Sequence, residues 1–320
     1  MRHPTPLPQQ LDPVFSAAQA QDAGVNADRL SRRDLTAPFH GVRSRLQTTV
    51  RTDASGLDEF EARAEEVRTM ARAYAVRMRP VEFFSHVTAA QLWGAPTPRV
   101  VDSLLDVAVF GNDPLPRCRG IRGHRADPRL TTTTLIDELR VASPASVWAS
   151  LGVLAVEDLV VIGDYFCREW RQGFLRPNVG RPPLTTRTKL AAALDAGRRV
   201  GVARLRTALG MIREDSWSPR ESLCRILLTT AGLPEPMLNL DIDGPLGFLA
   251  CVDMAYPHYR VAIEYQGQMH GARYAKDVER IEALRAAGWI VIQVTSALLA
   301  RPSELVDRVR QALISRGWRA

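Results

Sequence analysis

The 320-residue sequence has few cysteines, almost no lysine and no long apolar run. Its four cysteines lie far apart and form no CxxC pair, so neither a zinc site nor a disulfide framework is expected. No uncharged apolar run approaches the roughly 18 residues of a membrane span. The first residues also lack the basic and apolar pattern of a secretory signal. We therefore expect a cytoplasmic protein with no membrane partner.

Positive charge comes almost entirely from arginine, because only two of the 42 basic residues are lysines. The formal net charge of +7 and the pI near 9.7 suit a polyanionic partner. A guanidinium group can also grip phosphate with two hydrogen bonds. Charge alone does not establish such a partner, since many basic proteins never bind nucleic acid.

The order of the predicted elements indicates an α+β or α/β multidomain protein. At 46% hydrophobic residues, the chain can fill two or three cores. The expected domains are a winged helix at 1–56, an α/β domain at 57–185, and a mixed sheet flanked by helices at 186–320.

The first domain follows the outline of a winged helix. The pattern predicts a helix from Val14 that ends at Gly24, and a second helix, ADRLSRRDL, that is capped by Asn26. A short hairpin with Gly41 at its turn follows. The arginines of this domain that we expect to contact DNA are Arg29, Arg32, Arg33 and Arg43.

The middle of the chain alternates helices and strands. Composition predicts a helix over 57–78, a short helix capped by Ser85 or Thr88, strands in VVDSLLDVAVF and RCRGIRGHR, and one strand before two helices. A single helical stretch is expected at 189–212. Five arginines could follow a phosphate backbone or belong to a solvated hairpin: Arg117, Arg119, Arg122, Arg125 and Arg129.

The last hundred residues carry the clearest pattern. A helix is expected at 218–232, with Ser218 as its N-cap and Pro219 at its first position. Two strands, FLACVDMAY and YRVAIEYQG, should then form a hairpin around Pro257. A helix at 275–288, the buried strand WIVIQVT and a closing helix complete the domain.

The predicted hairpin brings two carboxylates together. Glu264 and Gln266 share one strand face because side chains alternate, and Asp253 interrupts an otherwise apolar strand. Paired carboxylates suit a hard cation such as Mg²⁺ or Mn²⁺, which keeps waters and phosphate oxygens as its other ligands. Such an ion can polarise a phosphodiester and activate water.

Two further residues are candidates for the same site. Glu221 could add a third carboxylate from the preceding helix, or simply form a capping box. His270 could act as an acid or base toward the scissile phosphate, or be an ordinary loop histidine.

Taken together, residues 218–316 resemble the very-short-patch-repair-like branch of the PD-(D/E)xK restriction-endonuclease-like superfamily. The resemblance rests on the order of Ser218-Pro219, Glu221, Gly232-Leu233-Pro234, Asn239, Asp253, Ile263-Glu264, Gly267, His270, Asp277, Arg280, Leu284 and Gly288-Trp289. It implies that Asp253 and Glu264 bind the metal and that Glu221 is the upstream carboxylate. The signature lysine is Gln266 here, an uncharged side chain that cannot act as a base. Arg280 could supply the missing positive charge, and we also expect it to contact DNA.

The first 180 residues resemble AbiEi-type antitoxins of type IV toxin–antitoxin systems. The segments that carry this resemblance are AQDAGVNADRLSRRDLTAPFHGVRSR and FFSHVTAAQLWGAPTP. It implies a DNA-binding start to the chain, although a helical bundle used only for packing is the alternative.

The leading expectation is a Mg²⁺-dependent DNA endonuclease that holds DNA with its winged helix. The alternative is an antitoxin-like DNA-binding regulator whose nuclease fold no longer cuts, and a third option is an RNA nuclease. DNA is the expected partner, and a homodimer is left open. The sequence does not indicate the target site or the biological role.

Overall fold

A computed structural model describes residues 5–45, 59–98, 104–173, 176, 178–244, 247–266 and 274–319. The pattern of contacts within the chain divides it into two compact units. Unit 1 comprises Met1–Asp158 and Thr188–Arg206, and unit 2 comprises Leu159–Arg187 and Thr207–Ala320. The chain is thus a mixed α/β protein of more than one unit, and the three predicted domain boundaries stay a prediction.

Unit 1 contains a two-stranded and a five-stranded sheet among its described residues. The strands are β1 (Val14–Ser16), β2 (Val42–Ser44), β3 (Glu82–Phe84), β4 (Leu105–Phe110), β5 (Ile121–Ala126), β6 (Thr133–Ile136) and β7 (Leu139–Ala142). The helices are α1 (Ala17–Asp22), α2 (Ala27–Leu30), α3 (Glu59–Ala75), α4 (His86–Leu92) and α5 (Pro144–Ser150). Three more helices each contain residues of both units: α6 (Val156–Cys167), α7 (Arg187–Asp195) and α8 (Val202–Met211).

Both predicted helices of the N-terminal segment are present, but each is shorter than predicted. Val14 begins strand β1, not a helix, and α1 starts after Ser16, which forms a capping box with Gln19. The Asn26 side chain caps α2 as expected, yet α2 is a single turn. Gly41 has a positive φ at the turn before β2, and β2 pairs antiparallel with β1.

The middle sheet has the order β5-β4-β3-β7-β6 and is mixed. The strands β4 and β5 run parallel, as do β3 and β7, whereas the other pairs are antiparallel. The predicted single strand before α5 is in fact the hairpin β6–β7, because Asp137 and Glu138 both adopt positive φ at its turn. The predicted helix at 189–212 is likewise two helices, since Gly201 has a positive φ between them.

Unit 2 builds a four-stranded sheet of order β11-β10-β9-β8. Its elements are α9 (Pro219–Thr230), β8 (Met237–Gly244), β9 (Gly247–Tyr256), β10 (Val261–Tyr265), α10 (Tyr274–Ala286), β11 (Ile290–Val294), α11 (Ser296–Leu299) and α12 (Pro302–Ser315). The predicted hairpin is confirmed as β9–β10, joined by a 3-10 turn at Pro257–Tyr259. Strand β8 was not predicted.

Helices cover both faces of this sheet. On one face, Met254 and Ile263 pack with apolar residues of α9, α11 and α12. On the other face, Ala255 and Ala262 pack with Leu284 of α10. Burying the sheet on both sides explains why β10 and β11 are almost wholly apolar. A charged side chain within this sheet therefore needs a specific reason.

No helix in the described part of the chain is long and apolar enough to cross a bilayer.

Candidate metal centre

Asp253 and Glu264 meet where the β9–β10 hairpin opens. The two strands pair from Val261 opposite Tyr256 to Ile263 opposite Met254. One further step in this register would set Glu264 opposite Asp253. The ladder stops there, and the Asp253 carboxylate instead accepts a hydrogen bond from the Tyr265 backbone N–H at 2.7 Å. The hairpin thus brings the two predicted carboxylates together.

The neighbouring strand β8 is interrupted at the same level. It pairs with β9 on both sides of Asn239, at Leu238–Met254 and Leu240–Val252. Asn239 itself has a φ of +46°, a left-handed conformation that asparagine adopts more readily than most residues. As a result Leu238 packs on one face of the sheet and Leu240 on the other.

This interruption allows buried Asn239 to reach α9. Its amide nitrogen donates to Glu221 Oε2 at 2.8 Å and to the Asp215 carbonyl at 2.7 Å. The Glu221 carboxylate also accepts from the Trp217 backbone N–H at 3.0 Å. Ser218 caps α9 as predicted by accepting from the Glu221 backbone N–H. Glu221 therefore combines a role at the start of α9 with a position near the other carboxylates.

Glu264 is nearly inaccessible and is paired with Arg280 of α10. The guanidinium donates to both carboxylate oxygens, at 2.8 and 3.2 Å. It also donates to the Cys251 carbonyl at 3.1 Å and approaches Asp277 at 3.4 Å. Arg280, predicted to contact DNA or replace the signature lysine, lies against the candidate metal ligands and remains partly exposed.

Burial raises the pKa values of all three carboxyls, and repulsion by neighbouring carboxylates adds to the increase at Asp253 and Glu264. Burial raises the pKa of Glu264 to about 6, and Arg280 opposes this increase. The pKa of Asp253 is raised well above its usual range by burial and then by the charges of Glu264 and Glu221. Burial also raises the pKa of Glu221, whereas its hydrogen bonds from Trp217 and Asn239 oppose the shift. The site therefore favours an additional cation or protons at neutral pH.

The two carboxylates are donors of the kind that a hard divalent cation binds. Mg²⁺ is often held by one or two carboxylates, with waters and substrate oxygens as the other ligands. Asp253 and Glu264 meet this need, although a metal would compete with Arg280 for Glu264. Among the described residues, no group of three or more His, Cys, Asp and Glu side chains is arranged to hold a metal ion.

The remaining predicted catalytic residues are less defined. Gln266 follows β10 directly, is partly buried, and its backbone N–H donates to the Val294 carbonyl at 2.7 Å. It therefore lies two residues beyond Glu264 at the open end of the hairpin. His270 lies outside the described residues.

The predicted DNA-binding arginines of unit 1 divide into two kinds. The Arg29 side chain pairs with both carboxylate oxygens of Asp34 and donates to the Thr5 carbonyl. Arg43 donates to the Leu30 and Val42 carbonyls, so both side chains tie parts of the N-terminal segment together. Arg32 and Arg33 are exposed. Of these four arginines, only Arg32 and Arg33 have the exposure that the DNA-binding prediction requires.

The structural part that sequence reasoning missed is the link from Asn239 to Glu221. Asn239 belongs to the sequence motif, but the sequence alone assigns it no role. The alternation of Leu238, Leu240 and Ile242 was the available signal for β8. A polar residue with a left-handed backbone in that strand marks the point where the alternation shifts.

No protein-family profile matches the chain. Among curated proteins, it is similar to two uncharacterized proteins of Mycobacterium tuberculosis, one from strain CDC 1551 / Oshkosh and one from strain ATCC 25618 / H37Rv. Each is 32% identical over 133 residues, which are 38% of this chain and 49% of the relative. The chain thus spans about half the length of these relatives. Their names state no activity, so any functional argument rests on the site.

Proposed function

We propose that this protein is a metal-dependent DNA endonuclease whose site is formed by Asp253 and Glu264. The observation that carries the proposal is their convergence at the open end of the β9–β10 hairpin. Both carboxyls have raised pKa values, chiefly because they are buried, and the charge of Glu264 raises the pKa of Asp253 further. A divalent cation would relieve that cost more fully than one guanidinium group can.

Asp253 and Glu264 would hold the metal, which would stabilise charge on a phosphodiester and supply an activated water. Glu221 stays fixed by Trp217 and Asn239, so it adds negative potential to the site. Gln266 would hydrogen-bond a phosphate oxygen or the attacking water. Arg280 would stand beside the scissile phosphate as a cation. His270 stays a candidate acid or base on the sequence pattern alone.

The ion pair between Arg280 and Glu264 favours a second candidate function. A guanidinium that occupies both oxygens of a metal ligand can replace the cation outright. Together with Gln266 in place of lysine, this would give a DNA-binding regulator with a nuclease fold that does not cut. The exposed Arg32 and Arg33 serve either function. An RNA nuclease, a homodimer and a cytoplasmic location stay predictions.

The decisive experiment compares cleavage by the wild type, Asp253→Ala and Glu264→Ala. Plasmid, linear duplex, single-stranded DNA and RNA would be incubated with Mg²⁺, Mn²⁺ or Ca²⁺. Asp243→Ala serves as a matched control, because Asp243 is an exposed carboxylate of the same sheet. We expect cleavage by the wild type and the control only.

Equal cleavage by all four proteins would disprove the assignment of the site. Metal-independent DNA binding without cleavage by any of them would favour the regulator. A preference for RNA in a competition with DNA would identify the third option.

A further inference from the structure

Two arginines from the segment after α6 contact β8 at the level of the candidate metal centre. Arg171 Nη2 donates to the carbonyl oxygen of Leu238 at 3.1 Å and to that of Asn239 at 2.7 Å. Arg176 Nη2 donates to the same Asn239 carbonyl at 3.1 Å. All of these residues belong to unit 2. Two guanidinium groups therefore converge on one carbonyl of the strand.

The main chain at Asn239 needs such donors. Asn239 is 4% exposed, has a φ of +46° and lies between two of the residue pairs that join β8 to β9. A buried carbonyl oxygen without a donor is costly, and each carbonyl oxygen has two lone pairs. Arg171 and Arg176 supply a donor for each lone pair. They therefore hold the Asn239 peptide group in one orientation.

Each guanidinium also has its own carboxylate. Arg171 Nε lies 3.0 Å from Asp215 Oδ1, and Arg176 Nη2 lies 2.5 Å from Asp241 Oδ1. The Asp215 carbonyl in turn accepts from the Asn239 side-chain amide at 2.7 Å. Arg171 thus joins two stretches of chain, because it contacts Asp215 through one nitrogen and the Asn239 carbonyl through another.

Both stretches hold Glu221. The Asn239 amide donates to Glu221 Oε2 at 2.8 Å, and the Trp217 backbone N–H donates to the same oxygen at 3.0 Å. The charge of Glu221 contributes to the raised pKa values of Asp253 and Glu264, so it acts on both proposed metal ligands. A displaced Glu221 would change the negative potential at those ligands.

The two arginines differ in how readily they can be replaced. The Arg176 side chain is 2% exposed, and its Nε lies so close to the Gly173 backbone that a Cβ added there would overlap it. The Arg171 side chain is 39% exposed. Arg171 can therefore be substituted without opening a buried cavity, and it is the residue to test.

We propose that Arg171 is a positioning residue of the candidate metal centre and acts through Asn239 on Glu221. This inference rests on the proposed function, because it takes Asp253 and Glu264 as the metal ligands. In the simpler role, Arg171 only stabilises unit 2. The two roles predict different metal binding by variants that remain folded.

The test measures binding of Mn²⁺ to the full chain by isothermal titration calorimetry at pH 7, without nucleic acid. Arg171→Ala is compared with the wild type and with Asp253→Ala, which lacks a proposed ligand. Arg213→Ala is the matched control, because Arg213 is 34% exposed, pairs with Glu235 and donates to carbonyls outside β8. Circular dichroism establishes that each variant is folded.

We expect Arg171→Ala to bind Mn²⁺ about ten-fold more weakly than the wild type, the lower end of the loss typical of residues that orient a metal site. Arg213→Ala should bind like the wild type. Equal affinity of folded Arg171→Ala and wild type would overturn this proposal and leave the nuclease proposal in place. A wild type that binds Mn²⁺ no better than Asp253→Ala would instead overturn the proposed function, and this inference with it.

A double-mutant cycle tests the route. In the Glu221→Gln background, Arg171→Ala should cause no further loss of Mn²⁺ affinity, because Arg171 acts through the Glu221 carboxylate. A second ten-fold loss in that background would contradict the proposed route. If Arg171→Ala does not fold, Arg171→Lys takes its place in both experiments. Lysine keeps the charge, but its single ammonium nitrogen does not reproduce the guanidinium fork that spans Asp215 and β8.

Discussion

Replacing Glu264 by glutamine tests whether the site contains unfavourable buried charge. Burial raises the pKa of Glu264 from 4.5 to about 6, despite the pair with Arg280. Because the pKa is higher in the folded state, the protonated carboxyl stabilises the fold below about pH 4.5. That contribution is lost as the pH rises through about 6. Glutamine cannot titrate, so Glu264→Gln removes this pH dependence.

The size of the effect follows from the shift. A difference of about 1.5 pKa units corresponds to about 2 kcal/mol, at 1.36 kcal/mol per unit. Between pH 4.5 and pH 7, the free energy of unfolding of the wild type should therefore decrease by about 2 kcal/mol more than that of Glu264→Gln. The absolute stability is a poorer measure, because the variant also removes the carboxylate partner of Arg280. The change in slope is the quantity to compare.

The assay is urea denaturation with a chelator present, followed by tryptophan fluorescence and far-ultraviolet circular dichroism. Because the chain has two units, separate transitions are fitted wherever the two signals differ. Glu282→Gln is the matched control, since Glu282 is exposed on the same helix as Arg280. If Glu264→Gln and the wild type share one pH dependence, the account of charge at this site is wrong.

Three further predictions concern single features of the structure. Asn239→Ala should destabilise unit 2 by about 3 kcal/mol in urea, because two buried hydrogen bonds are lost at a left-handed backbone; an effect below about 1 kcal/mol would contradict this. The Arg32→Ala/Arg33→Ala double variant should reduce the salt dependence of DNA binding by about two contacts, whereas Arg29→Ala should mainly lower the melting temperature. Gln266→Lys should retain or increase cleavage, and cleavage by this variant alone would favour the regulator.

The elements of unit 2 that sequence predicted correctly have local causes. Ser218 and Pro219 specify the start of α9, and the left-handed Gly288 follows the end of α10. The alternation around Glu264 predicted that Ile263 lies on the opposite face of β10, and Ile263 is fully buried there, although Ala262 and Glu264 are buried as well. Each of these signals lies within a few residues of its effect, so no knowledge of the fold was needed.

The features that sequence did not predict depend on distant partners. Strand β8 alternates apolar residues with Asn239, Asp241 and Asp243, which is a local strand signal, but the interruption at Asn239 depends on its pairing with β9. Val14 likewise forms a strand because β2 lies beside it, although its own segment has a helical composition. The partner of Arg280 could not be identified, since Glu264 is 16 residues away and on another element.

The ion pair of Arg280 and Glu264 links the two candidate functions physically. A divalent cation on Asp253 and Glu264 would bring two positive charges to a place where the guanidinium brings one. Arg280 would not leave the site on losing Glu264, because its bonds to the Cys251 carbonyl and to Asp277 can persist. It would then be a cation beside the metal, available to a phosphate. If the cation cannot displace it, the same arginine is a permanent substitute for the metal. In the proposed nuclease, binding of a metal by Glu264 therefore depends on competition between the cation and the Arg280 guanidinium for its carboxylate.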